Sequence, residues 1–154
     1  TGFYFTSAEE YDGKAQGLKN AYGDPVEEFE IQFIAGERID CELAKASGIN
    51  QANLRQFLDA VEEWEDWEKQ TVIIAVGECG CGFDSGGDPD HHGIDSYHVE
   101  SLRELAEQYV EDGLFGDIPE HLQFYIDYDA IARDLAVEFS EIEIDGECLI
   151  YRAS

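Results

Sequence analysis

Acidic side chains dominate the groups in this chain that could do chemistry, and they recur at structural spacing. In the stretch 98–112, HVESLRELAEQYVED, Glu100, Glu104, Glu107 and Glu111 follow one another at intervals of four, three and four. At about 100° per residue that places four carboxylates on one face of a helix, with Asp112 just beyond them. Leu102, Leu105, Ala106 and Tyr109 fall on the opposite face, and Arg103 alone flanks the row, placed to pair with Glu107. Like charges four residues apart cost an isolated helix about 0.2–0.5 kcal/mol per pair, so such a stripe needs a reason. A second row, Asp59, Glu62, Glu63 and Asp66, takes the outward positions of another helix, and Glu28 and Glu30 take one face of an alternating stretch.

Other groupings are weaker. From Asp88 the order D-P-D-H-H-G opens like a calcium-binding EF-hand loop and then departs from it: His92 stands at the fifth position, Val99 at the twelfth and Glu100 one place late. Cys79, Cys81, His91 and His92 are zinc-ligand types, yet the two cysteines lack the usual gap of two to four residues. A Gly-rich acidic loop with incidental Cys and His explains the segment more simply, although an acid-rich metal-binding module over residues 84–95 stands as an alternative. A Cys79 or Cys81 nucleophile beside His91 has no third group to orient it. His98 and His121 read as surface or helix-end residues, and Trp64 and Trp67 as packing for the middle helices. The chain has no phosphate-binding loop, GxSxG or HExxH motif. With 36 acids, carboxylate pairs arise by chance and say nothing about hydrolysis. No catalytic residue, metal or cofactor is assigned.

The composition sets the class. Thirty-six Asp and Glu face nine Lys and Arg, a net charge of −27 over 154 residues. A hydrophobic fraction of 44% is too high for an acidic disordered tail, so the chain reads as folded. The field of such a protein repels nucleic acid and anionic lipid, and its natural complement is a basic protein surface, a metal ion or high salt. A halophilic acidic domain of unrelated function fits the same numbers. No run of about 18 apolar residues marks a membrane span, and the N-terminus carries no signal-peptide pattern. The absence of Met reads as a processed or trimmed start. Cys41, Cys79, Cys81 and Cys148 match no disulfide framework, and a cytoplasmic protein with free thiols is expected.

The elements that must carry these side chains divide into three small units. Residues 1–36 read as strand, helix and strand: GFYFTS (2–7), a helix capped by Ser7 with Glu10 and running to about Tyr22, and VEEFEIQFI (26–34) with Phe29, Ile31 and Phe33 on one face. Residues 37–97 read as a helical unit: a short helix at Cys41–Ser47 stopped by Gly48, a second begun by Asn50, and a third over Trp67–Val76, followed by the Gly- and Asp-rich loop 77–96. Residues 98–154 read as helices, one starting at Pro119 and one capped by Asp127, and a hairpin turning at Asp145-Gly146. The expected class is α+β, with a β-rich first unit, a helical middle and a mixed last unit.

One quantity connects the charge to a function. Duplex DNA carries about one charge per 1.7 Å, so 27 net charges equal those on about 46 Å, or about 13–14 base pairs. At this point a resemblance becomes specific. IPEHLQFYIDYDAIARDL (118–135) resembles the signature of the ArdA antirestriction proteins through Pro119, Leu122, Tyr125, Ile126, Asp127, Tyr128, Ala132, Arg133, Asp134 and Leu135, and VEEFEIQFI and INQANL resemble further segments of one branch. The resemblance implies a non-enzymatic, acidic, homodimeric mimic of B-form DNA, encoded on mobile genetic elements. It implies an elongated row of three small domains that occupies the DNA-binding groove in the methyltransferase core of type I restriction–modification enzymes. The partner-binding surface then comprises Glu28, Glu30, Asp59, Glu62, Glu63, Asp66, Glu100, Glu104, Glu107, Glu111 and Asp112. The family has a further strand before the GFYF position, and Arg133 is expected to pair with Asp129.

Overall fold

A computed structural model of the chain describes residues 2–83 and 93–153, and the chain divides into two compact units, residues 1–92 and 93–154. The first unit is helical. Its α1 (Ala8–Gly17) starts where Ser7 accepts the Glu10 N–H through its hydroxyl at 3.1 Å. The Glu10 carboxylate turns back to accept from both the N–H and the hydroxyl of Thr6. The helix ends at Gly17, five residues before the expected stop. A tight turn follows, in which the Asn20 side-chain oxygen accepts from Tyr22 and Asp24 and the backbone closes from Val26 N–H to Leu18 C=O.

The core of this unit lies further on. α2 (Arg38–Ser47), closed by Gly48 in the left-handed region, buries Ile39, Leu43 and Ala44. α3 (Leu54–Glu63) buries Leu54, Phe57 and Ala60. α4 (Asp66–Val72) runs directly into a π-helix at Ile73–Glu78, whose Ile73, Ile74 and Ala75 complete the core. The apolar run TVIIAV is central because Thr71 to Ala75 are all buried around one helical turn, which no amphipathic helix allows.

The β-rich first unit is not found. Residues 2–7 and 26–34 are extended but pair with no strand, and within the first unit the described residues show only the isolated bridge Lys19↔Pro25. Alternation correctly places Phe29, Ile31 and Phe33 half-buried and Glu28, Glu30 and Gln32 outside. What alternation cannot provide is a neighbour to complete a ladder. A side chain does part of that work: Gln51 accepts from the Phe29 N–H at 2.9 Å and donates to the Glu27 C=O at 3.2 Å, as a paired strand residue would. Around it the rings of Phe3, Phe5, Tyr11 and Phe29 pack at centroid distances of 5.0–6.1 Å. Gln51→Ala is expected to cost about 1 kcal/mol, the net worth of exposed hydrogen bonds of this kind. It should also raise the hydrogen-exchange rate of the Phe29 amide to that of its neighbours, which exchange mass spectrometry reads directly.

The second unit carries the sheet. β1 (Ile94–Tyr97), β2 (Ser140–Ile144) and β3 (Glu147–Ala153) form an antiparallel sheet in the order β1-β3-β2. Tyr97 stands opposite Ile150, and Ser140 opposite Tyr151. Asp145 and Gly146 make the β2–β3 turn with φ of 52° and 77°, the pair of positive angles that a type I′ hairpin demands. β1 overlaps the end of the stretch 77–96 read as loop. α5 (Leu102–Glu111) and α6 (Tyr128–Leu135) pack with the sheet around Val99, Leu105, Phe139 and Ile150, while an exposed 3-10 helix (Glu120–Tyr125) lies between them in the chain. The molecule as a whole is therefore α+β, with its strands confined to residues 94–153 among those described. No helix of the described residues is long and apolar enough to cross a membrane.

Candidate partner-binding surface

The carboxylates singled out above are at the surface of their units. In the first, Glu28 and Glu30 lie on the outer side of the extended segment, Asp59, Glu62 and Glu63 on α3, and Asp66 at the first turn of α4, all exposed. In the second, Glu104, Glu107 and Glu111 lie on α5, with Glu111 and Asp112 exposed at its end. Two details of the four-residue row change. The helix begins at Leu102, so Glu100 precedes it instead of sitting on its face. Glu104 accepts from the Glu100 N–H at 2.9 Å while its own N–H donates to the Ser101 hydroxyl at 3.2 Å, so this carboxylate closes the helix start. Such a cap also sits favourably against the helix dipole, which offsets part of the repulsion along the row.

Arg103 organises the same face. It reaches Glu107 at 3.4 Å and Asp129 of α6 at 3.0 Å, and Asp129 beside it, followed by Glu107, raises its guanidinium above the ordinary range. Asp129 is thus held from α5, and the expected Arg133–Asp129 pair does not form. The remaining carboxylates of the row, Glu100 and Glu111, stay exposed to solvent.

Within the signature 118–135, residues divide by role. Pro119 precedes the 3-10 helix, and Asp127 caps α6 by accepting the Ala130 N–H at 3.0 Å. Ile126, Tyr128, Ala132 and Leu135 are half-buried, and Leu135 packs against the Val99–Leu105–Phe139–Ile150 core. Leu122, Tyr125, Arg133 and Asp134 face solvent. Phe124, between them, is 92% exposed. A segment with this split holds the fold through one face and presents the other.

Glu10 is held by a cation and two further donors. The Lys14 ammonium at 2.8 Å, then the Thr6 N–H and hydroxyl, draw its pKa down from 4.5 to about 2. A depressed carboxylate stabilises the fold above its unfolded pKa and loses that contribution as pH falls through the folded one. Loosening of residues 2–10 is therefore expected between pH 4.5 and about 2, and a carbon-detected NMR titration of the Glu10 carboxyl would show its midpoint at the lower value.

Other expectations are settled unevenly. The proposed metal loop lies largely outside the described residues, which stop at Phe83 and resume at Gly93. Among those described, no three His, Cys, Asp or Glu groups converge to hold a metal ion, and all four cysteines are free. Trp64 packs edge-on to Phe83 at 6.3 Å, whereas Trp67 is 48% exposed and fills no interior site. Sequence reading missed the buried ion pair Lys69–Asp40, at 2.8 Å with both side chains at least 90% buried. A signal was present: Lys69 lies one helical turn before Val72 and Ile73, on their inward face, and a base there requires an acid.

No curated protein and no solved structure matches the chain. The family model described as antirestriction protein (ArdA) matches residues 24–147, well over half of the chain and including the extended segment with its Gln51 clamp, the α3 and α5 acids and the whole 118–135 signature. On that match the chain belongs to the ArdA antirestriction protein family.

Proposed function

We propose that this protein is a non-enzymatic, cytoplasmic inhibitor that mimics B-form DNA and occupies the DNA-binding groove of the methyltransferase core of type I restriction–modification enzymes. Family membership carries the antirestriction part of this reading. The mimicry part rests on the net charge of −27 and on the exposure of nearly every acid assigned to the surface. A groove built for phosphates is lined with Lys and Arg and binds DNA through counterion release, and a dense carboxylate surface exploits the same effect. Purified protein, mixed in molar excess with a type I enzyme at low salt, should suppress both cleavage and methylation and lose potency as salt rises. Undiminished cleavage under those conditions would refute the reading.

A homodimer completes the proposal. Copies carrying −27 each repel, so they can meet only across uncharged surface. The second unit exposes Leu114, Phe115, Phe124, Tyr125 and Val137, at 54–92% of their full area. Phe124→Asp should convert a dimer into a monomer, read as a halved mass in light scattering; a wild-type mass of one chain would dismiss the dimer.

A further inference from the structure

We propose that Cys79 and Cys81 form a reversible dithiol–disulfide site that reacts with low-molecular-weight disulfides such as oxidised glutathione. The pair sits where the π-helix ends. The Cys79 N–H donates to the Ile74 C=O at 3.1 Å and the Cys81 N–H to the Ala75 C=O at 2.9 Å, so both residues are anchored to consecutive carbonyls of a buried turn. Between them Gly80 takes a φ of +72°, which turns the chain back on itself. Beyond them Phe83 packs on Trp64, fixing the other side of the motif. Two residues separated by one neighbour are held by chain geometry within about 5–7 Å, the Cα separation that disulfides use.

Spacing along the chain favours this pair over the other thiols: Cys148 is exposed too, but only Cys79 and Cys81 are sequence neighbours. Cys79 is exposed and Cys81 half-buried, and neither is oxidised in the structure. Cys41 lies half-buried on α2, and Cys148 stands on β3 of the other unit. The Cys79 thiol is raised from its ordinary value by partial desolvation first, then by the charges of Cys81 and Glu78. A raised pKa slows attack at neutral pH, and the leaving group's lower pKa still permits exchange.

The chemistry balances without a further reactant. The Cys79 thiolate attacks one sulfur of oxidised glutathione, a mixed disulfide forms and one glutathione thiolate leaves. The Cys81 thiolate then attacks the Cys79 sulfur, the second glutathione thiolate leaves and the protein has lost two hydrogens. The protein dithiol is oxidised, and the small disulfide is reduced to two thiols. A ring this small is strained and readily reduced, as labile disulfides are.

The test uses the full-length wild-type protein. After incubation with oxidised glutathione at mildly alkaline pH, non-reducing peptide mapping should find residues 79–81 two hydrogens lighter, with Cys41 and Cys148 unbridged, and dithiothreitol should restore the original mass. Phenylarsine oxide, which bridges closely spaced thiols, should bind one equivalent before oxidation and none after. Cys81→Ser should instead stop at a stable glutathione adduct on Cys79. The proposal is overturned if wild-type protein accumulates the mixed disulfide, bridges either cysteine to Cys41 or Cys148, or leaves both thiols free.

Discussion

Lys69→Ala is expected to destabilise the first unit by about 3–5 kcal/mol, enough to unfold much of a marginally stable helical unit at room temperature. The ammonium of Lys69 on α4 sits 2.8 Å from the Asp40 carboxylate on α2, with relative side-chain exposures of 6% and 9%. Removing the lysine leaves a buried carboxylate with no counter-charge in a unit whose core includes Ile39, Leu43, Val72 and Ile73. The cost then comes from the stranded charge more than from the lost attraction. That distinction is testable. Asp40→Leu with Lys69→Met removes both charges and keeps most of the volume, and should recover all but about 1–2 kcal/mol. Both tryptophans, Trp64 and Trp67, lie in the first unit, so their fluorescence during urea unfolding reports this unit alone. If the double variant were as unstable as Lys69→Ala, the loss would come from packing and not from the buried charge. By contrast, the exposed Arg55–Asp12 pair between α3 and α1 should contribute less than about 1 kcal/mol.

The features legible in the sequence are those encoded within four or five residues. Ser7, Asp127 and Gly48 mark helix ends through their own hydrogen bonds or backbone preference, and all three act as read. Asp145-Gly146 encodes its turn in two residues. The extended segments at 2–7 and 26–34 carry the alternation of strands, but a strand exists only when a second segment supplies its ladder, and that information is not local. The Gln51 clamp is invisible for the same reason: it joins a side chain to backbone groups more than twenty residues away. β1 is not legible because four residues give too little periodicity to stand out beside glycines. The Lys69–Asp40 pair needs two helices to be brought together before either charge can be understood.

The acidic row shows the same limit at the proposed partner surface. Spacing alone makes Glu100, Glu104, Glu107 and Glu111 equivalent, yet in the fold Glu104 caps α5, Glu107 shares Arg103 with Asp129, and Glu100 and Glu111 are left to solvent. If inhibition works by distributed mimicry, Glu111→Gln or Glu100→Gln alone should change association with a type I enzyme by less than about twofold, since each rim charge adds little. Glu104→Ala should lower the stability of the second unit by about 1 kcal/mol through loss of the cap, with a similarly small effect on association. Changing all four to Gln removes four of 27 net charges from one continuous stretch and should slow association by about tenfold at low salt, an effect that vanishes as salt screens the remainder. Surface plasmon resonance at two ionic strengths separates these cases, because a steering effect sits in the on-rate and collapses with salt. A single substitution that abolished binding while circular dichroism stayed native would instead mark one carboxylate as an anchor, and the mimic would have to be understood as a point contact rather than a charged surface.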